Sequence, residues 1–166
     1  MILLESNRLL LREITLNDAD FIFKLMNDPA WIQNIGDREI YSVKDAEDYI
    51  QSKIFTSYQE NGFGFYVIEL KDSQERVGSA GLVNREGLEH IDIGYALLPD
   101  FRGHGYAFEA TQMIYDYGTK TLGFDKIVAI VNPKNQKSIH LLEKLGLEFE
   151  RMIVLPDTEE EIKLYS

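Results

Sequence analysis

A short turn with two glycines is the segment of this sequence best suited to hold a phosphate group. It reads Arg-Gly-His-Gly-Tyr-Ala over residues 102–107 and joins a strand-like run, 90–98, to a helical pattern that begins near Ala107. A turn that opens a helix presents unpaired backbone N–H groups at the positive end of the helix dipole. We therefore predict that residues 102–107 bind a phosphorylated ligand.

Two nucleotide-binding motifs fit this turn poorly. A Walker loop ends in Gly-Lys-Ser/Thr, whereas Gly105 is followed by Tyr106 and Ala107. A dinucleotide fingerprint needs glycine or alanine where Phe108 stands, and its ribose-binding acid closes the next strand, whereas Asp125 precedes that strand. The phosphate ligand is therefore expected to be of another kind.

A second group of polar residues lies on the strand that leads to the turn. Strand periodicity places His90 and Asp92 on one face. Asp92 is a candidate general base or a residue that orients an acceptor amine; an acid that caps a neighbouring turn is the structural alternative. No further ligand follows at metal-binding spacing, so no metal is expected. The absence of cysteine excludes an enzyme thiol as nucleophile.

Composition places the chain among ordinary globular proteins. Its 166 residues, 45% hydrophobic and 27% charged, suit a single domain over 1–166. No apolar run is long enough to span a membrane and no secretory leader is evident, so we expect a cytoplasmic protein. The net charge of −11 disfavours nucleic acid and favours cationic partners such as amines.

Periodicity and turn signals predict an alternating order of strands and helices. Helices are expected after the start signals at Thr15 and Ser42, and over 105–122 and 136–145. The predicted strands are 8–14, 63–70, 76–83, 90–98, 126–131, 147–155 and 160–165. Hairpins near both ends, with crossover helices between them, indicate a mixed sheet flanked by helices.

Three ordered motifs resemble the GNAT superfamily of N-acetyltransferases. The turn matches its Arg/Gln-x-x-Gly-x-Gly/Ala signature through Arg102, Gly105 and Ala107. The run Asp92-Ile-Gly-Tyr95-Ala-Leu-Leu-Pro99 resembles the family's fourth strand, and Asn135-Gln-Lys-Ser138 its Asn-x-x-Ser/Ala helix. The segments 8–12 and 161–166 are similar to the RimJ/RimL-like branch, which includes ribosomal-protein N-terminal acetyltransferases.

The resemblance implies an α/β (α+β) GNAT fold with a mixed, mostly antiparallel seven-stranded sheet. Strands 4 and 5, at 90–98 and 126–131, would splay apart around acetyl-coenzyme A. A bulge near Leu97 or Leu98 would leave one backbone N–H free for the thioester carbonyl, and Asn135 would bond the pantetheine. The residues expected at the pyrophosphate are Arg102, Gly103, His104, Gly105, Tyr106 and Ala107.

The resemblance also implies the reaction. The family's tyrosine acid falls here on Leu142, so Ser138 is expected to protonate the leaving thiolate and also to contact the cofactor. Asp92, from the strand pattern, stays the candidate for the base or for orienting the amine. The predicted activity is direct acetyl transfer to a primary amine on a small molecule, peptide or protein N-terminus. A non-catalytic acyl-coenzyme A sensing module is the alternative. A monomer and a homodimer both remain open.

Overall fold

The architecture is a single eight-stranded sheet flanked by helices, described by a computed structural model for residues 2–166. The strands lie in the order β1-β2-β3-β4-β5-β6-β8-β7. The predicted fold class is confirmed, but the sheet has eight strands because residues 2–5 pair with β2 as an edge strand. The strands are β1 (Ile2–Glu5), β2 (Leu9–Glu13), β3 (Phe65–Leu70), β4 (Arg76–Val83), β5 (Ile91–Leu97), β6 (Ile127–Val131), β7 (Phe149–Val154) and β8 (Glu161–Tyr165).

The pairing of β5 with β6 creates the opening in the sheet. These strands are parallel and meet only at Ile91 with Ile127 and at Asp92 with Val128. From Ala129 onward β6 pairs instead with β8 on its other side. The remaining neighbouring strands are antiparallel, including both predicted hairpins. The splay predicted between strands 4 and 5 therefore begins directly after Asp92.

The helices start and stop where local chemistry dictates. Ser42 accepts a hydrogen bond from the Asp45 backbone at 3.0 Å, and Gly62 ends the helical stretch in the left-handed conformation. A short helix at Pro29 was not predicted, although Asp28 caps it and proline occupies its first turn. The helices are α1 (Ala19–Met26), α2 (Pro29–Asn34), α3 (Val43–Tyr49), α4 (Phe55–Asn61), α5 (Tyr106–Asp116) and α6 (Gln136–Lys144), with π-helical turns at Ile50–Ile54 and Tyr117–Thr121.

Two apolar clusters hold the helices against opposite faces of the sheet. Helix α5 buries Ala110 and Ile114 against Leu82 and Ile93 of the central strands. On the other face, α1 and α3 pack with Val67 in a second cluster. Burying such side chains contributes roughly 1.5–3 kcal/mol each. Within residues 2–166, no helix combines the length and apolar character needed to cross a membrane.

Candidate active site

Two left-handed glycines shape the turn at 102–107. Gly103 and Gly105 have φ of 82° and 83°, in the left-handed region where side chains are disfavoured. Gly105 is the N-cap of α5, and its carbonyl accepts the N–H of Glu109 at 3.1 Å. The first helical N–H groups, from Tyr106 onward, have no partner within the helix because no turn precedes them. They are thereby available to an anion.

Arg8 supports the turn, a role that sequence reasoning missed. Its Nη1 donates to the carbonyl of His104 at 2.9 Å, and its Nε donates to Glu109 at 2.8 Å. The guanidinium also covers the ring of Tyr106 at 4.6 Å, and the His104 ring is tilted against that same ring. The sequence offers one signal for this role, the Arg8–Arg12 spacing near the N-terminus, and that spacing does not show which residues Arg8 contacts.

Arg102 is bound within the protein. Its Nη2 lies 2.6 Å from Asp28 Oδ2 and 2.9 Å from the carbonyl of Leu97. Asp28 is buried and caps α2 by accepting the N–H of Ala30 at 3.2 Å. Arg102 therefore ties the phosphate turn and the end of β5 to the start of α2.

Replacing Arg102 with methionine is expected to lower the free energy of unfolding by about 2 kcal/mol, because the buried Asp28 carboxylate would lose its cationic partner and keep only the Ala30 N–H. The partial exposure of Arg102 keeps the loss below that of a fully buried pair. Urea denaturation measures it, with Lys44→Met as the control because the Lys44–Asp48 pair is exposed. Equal stability of Arg102→Met and the control would contradict this role.

The edge of β5 that faces the opening carries backbone groups that pair with no neighbouring strand. Leu98 donates its N–H to the carbonyl of Val77 at 2.9 Å, so alternation directs the backbone groups of Leu97 and Tyr95 away from β4. The β4–β5 register is continuous, so the expected bulge is absent and the expectation of a free donor at Leu98 is wrong. The Leu97 N–H, by the same alternation, points into the opening.

Asp92 lies at the vertex where β5 and β6 separate. It is 2% exposed, and its Oδ2 accepts from Arg85 Nε at 2.9 Å. Burial raises the pKa of Asp92 to about 6, although Arg85 acts in the opposite direction. Among residues 2–166, Oδ1 is one of two buried side-chain polar atoms without a partner.

Ser138 and Asn135 lie at the start of α6, across the opening from β5. The Asn135 side chain caps the helix by accepting the Ser138 N–H at 3.3 Å, which leaves its amide NH₂ group for another acceptor. Ser138 is half-buried. Leu142 is 3% exposed within the main cluster, so it contributes packing. Asn135 and Ser138 thus lie at the start of the helix that follows β6, while Leu97 lies on the edge of β5 that faces away from β4.

A groove of about 490 Å³ continues from the turn along the outer face of α5. Arg8 and Lys144 supply positive charge at its rim, and the Lys144 Nζ lies 4.3 Å from the centre of the Phe108 ring. The groove is lined by Ser6, Arg8, Gly105, Phe108, Glu109, Gln112, Met113 and Lys144. In the part of the chain that the structure describes, no three acidic or histidine side chains converge on a metal position.

Comparison with known proteins identifies the family. Residues 8–148 match the acetyltransferase (GNAT) domain. The chain is 31% identical over 152 residues to the uncharacterized N-acetyltransferase YoaA of Bacillus subtilis, covering 91% of this chain and 85% of that protein. Over 75 residues, 43% of this chain and 40% of that protein, it is 33% identical to spermidine N(1)-acetyltransferase of Escherichia coli.

The fold agrees with this assignment. RimL, a ribosomal L7/L12 α-N-protein acetyltransferase solved with coenzyme A, superposes with a TM-score of 0.84 at 18% identity, covering 99% of this chain and 96% of that chain. The opening between β5 and β6, the glycine turn and the matched domain thus agree with one another. This chain belongs to the GNAT family of N-acetyltransferases.

Proposed function

We propose that the protein binds acetyl-coenzyme A in the opening between β5 and β6 and transfers the acetyl group directly to a primary amine in a ternary complex. The observation that carries this proposal is the arrangement of the opening. The anion-binding turn lies at one end of β5, Asp92 lies at the vertex, and Ser138 lies across from β5. The chain has no cysteine, and direct transfer needs no acyl-enzyme intermediate.

The cofactor contacts follow from which backbone groups are available. The amides of residues 103–107 bind the pyrophosphate, and the Leu97 N–H bonds the acyl-pantetheine arm. Asn135 retains an amide NH₂ for the same arm. Lys144 places a cation beside the groove that continues from the turn, which suits the remaining phosphate of the nucleotide, while Arg8 at the same rim is paired with Glu109 at 2.7 Å.

Asp92 acts as the base toward the acceptor amine. Its unpartnered Oδ1 can accept a proton from the amine directly or through water, while Oδ2 remains on Arg85. A base with a pKa of about 6 is ionised at neutral pH. An α-amine, with a pKa of about 7.7–8.0, needs only such modest assistance to react as the neutral nucleophile.

Ser138 donates a proton to the sulfur as the thiolate leaves. Replacing Ser138 with alanine is expected to lower kcat by about 30-fold, below the usual range for proton transfer because water can partly replace a weak acid. The Kd for acetyl-coenzyme A should change by less than about twofold, because the main cofactor contacts are backbone groups. Release of free thiol measures kcat, and calorimetry measures Kd. An unchanged kcat would remove Ser138 as the acid.

The acceptor site is proposed to attract a cationic amine. Asp37 and Glu39, between α2 and α3, and Asp45, in the first turn of α3, raise the pKa of Tyr41 through their negative charge. The buried Trp31 Nε1 on α2 has no partner within residues 2–166, so a peptide carbonyl would provide one. A protein N-terminus and a small amine would both suit the negative charge of these acidic side chains. Only a peptide would also supply a carbonyl for Trp31 Nε1.

An amine panel tests the proposed function. The protein is incubated with acetyl-coenzyme A and either N-terminal peptides, polyamines or simple primary amines, and thiol release is followed. We expect turnover dependent on the amine, with an acetylated product confirmed by mass. Binding of acetyl-coenzyme A without turnover across the panel would instead favour the sensing module.

A further inference from the structure

Two contacts join helix α2 to the segment that leads into the phosphate turn. The first is the ion pair in which Arg102 Nη2 lies 2.6 Å from Asp28 Oδ2, between residues 74 apart in the chain. The second is apolar, since Trp31 packs against the cluster that holds the buried Leu98, and Phe101 packs there too. Charge and packing therefore both connect the start of the turn to α2.

The ion pair fixes the position of both its ends. Arg102 Nη2 also donates to the Leu97 carbonyl at 2.9 Å, which holds the guanidinium at the end of β5. The same Asp28 oxygen accepts the Ala30 N–H at 3.2 Å as the N-cap of α2. Within residues 2–166, Nε and Nη1 of Arg102 make no hydrogen bond, so they can contact a phosphate in the turn. One guanidinium can therefore serve the ligand and α2 together.

Trp31 is the side chain of α2 whose place depends on this ion pair. It lies three residues after Asp28, and α2 has only six residues, so a change at the cap moves the whole helix. Trp31 Nε1 is buried and has no partner within the described part of the chain. Buried donors in folded proteins are normally paired, which favours a carbonyl from a bound acceptor as the partner. The position of this donor is thus set at Asp28.

We propose that the Arg102–Asp28 pair positions α2, and with it Trp31, for the acceptor, and that a phosphate in the turn strengthens this positioning. Because α2 borders the proposed acceptor site, this positioning role rests on the proposed function. A phosphate on Nε and Nη1 restrains the guanidinium that holds Asp28 through Nη2. Coenzyme A thereby orders α2 for the acceptor, so each ligand strengthens the binding of the other.

The fluorescence of Trp31 tests this coupling without turnover, because Trp31 is the only tryptophan in the chain. Titration of the wild-type protein with coenzyme A is expected to change the Trp31 emission, with the Kd that calorimetry gives. Asp28→Asn keeps a capping oxygen for Ala30 but loses the charge that holds Arg102. At saturating coenzyme A, this variant should show less than about one-third of the wild-type change. A full change in Asp28→Asn, or none in the wild type, would overturn the proposal.

Substitutions of Arg102 test whether its charge carries the coupling. Arg102→Lys retains a cation opposite Asp28 and should keep at least about half of the emission change, whereas Arg102→Met should behave like Asp28→Asn. Asp48→Asn is the control, since Asp48 is the exposed partner of Lys44 on α3, and it should respond as the wild type does. Equal responses from Arg102→Lys and Arg102→Met would overturn the proposal. Failure of coenzyme A to bind would remove the proposed function and this coupling together, whereas binding without a response from Trp31 would overturn the coupling alone.

Kinetics with the best acceptor from the amine panel test the positioning of α2. Asp28→Asn is expected to raise the KM for the acceptor by about tenfold, with the KM for acetyl-coenzyme A within about twofold. A loss of folded protein would instead lower the apparent kcat and leave both KM values unchanged. An acceptor KM for Asp28→Asn equal to that of Asp48→Asn would show that the ion pair does not position α2 for the acceptor.

Discussion

Replacing Gly105 with valine is expected to raise the Kd for coenzyme A by about 100-fold. Gly105 has a φ of 83°, which a β-branched residue adopts only with strain. A Cβ atom at this position would also lie 3.3 Å from Nη2 of Arg8, the side chain that holds the His104 carbonyl. Valine would therefore displace the amides that bind the pyrophosphate. Calorimetric titration with coenzyme A measures the change.

Gly123→Val provides a matched control for Gly105→Val. Gly123 has a similar φ of 80°, and a Cβ atom there would have no neighbour within 4 Å. The two substitutions thus impose comparable backbone strain, but only one acts at the turn. We expect similar thermal stability and near-normal affinity for Gly123→Val. Similar Kd values for both variants would contradict the assignment of the phosphate site to residues 102–107.

Replacing Asp92 with asparagine is expected to lower kcat/KM by about 100-fold at neutral pH, because the amide accepts no proton from the amine. Thiol release with the best acceptor from the panel gives the rate. Asp20→Asn is the control, since Asp20 is an exposed partner of Arg76 on another part of the surface. A rate for Asp92→Asn equal to that of the control would leave the base unidentified.

The pH profile of Asp92→Asn should differ in a defined way. The base and the acceptor amine must both be deprotonated, so below pH 6 the logarithm of wild-type kcat/KM should fall twice as steeply as between pH 6 and the amine pKa. The variant should keep only the ionisation of the amine. A steepening near pH 6 that persists in Asp92→Asn would assign that ionisation to another group.

The pH dependence of the free energy of unfolding provides a second test of the Asp92 carboxyl. Burial raises the pKa of Asp92 from 3.8 to about 6, so the folded state holds this proton more tightly than the unfolded state does. Its contribution to stability is therefore present below pH 3.8 and is lost as pH rises towards 6. Asp92→Asn should remove that part of the pH dependence.

The sequence predicted the central elements because their signals are local. The predicted bounds of β4 (Arg76–Val83) agree with the structure. The predicted bounds of β5 and α6 differ from the structure by at most one residue at each end. Strand β1 was not predicted, because four residues are too few to show the alternation of a strand and because its pairing depends on β2. Gly118, in the π-helical turn after α5, packs so closely on β6 that a Cβ atom there would lie 2.6 Å from Ile127, a long-range contact that no local pattern shows.

The sequence predicted the backbone turn of the site, but it did not predict the partners of the side chains around it. The Gly103–Gly105 spacing signals a left-handed turn directly. The partners of Arg102, Arg8 and Asp92 lie 74, 101 and 7 residues away along the chain, where no periodicity connects them. The bulge expected near Leu98 is likewise absent because a continuous register with β4 uses the Leu98 N–H.

Calorimetric titration of the purified protein with coenzyme A, alongside pantetheine, tests the central claim most directly. If backbone amides at 102–107 bind the pyrophosphate, coenzyme A should bind with a micromolar Kd, and pantetheine should bind at least about 100-fold more weakly. Absence of heat with coenzyme A at millimolar concentrations, or equal affinity for the two ligands, would contradict the account.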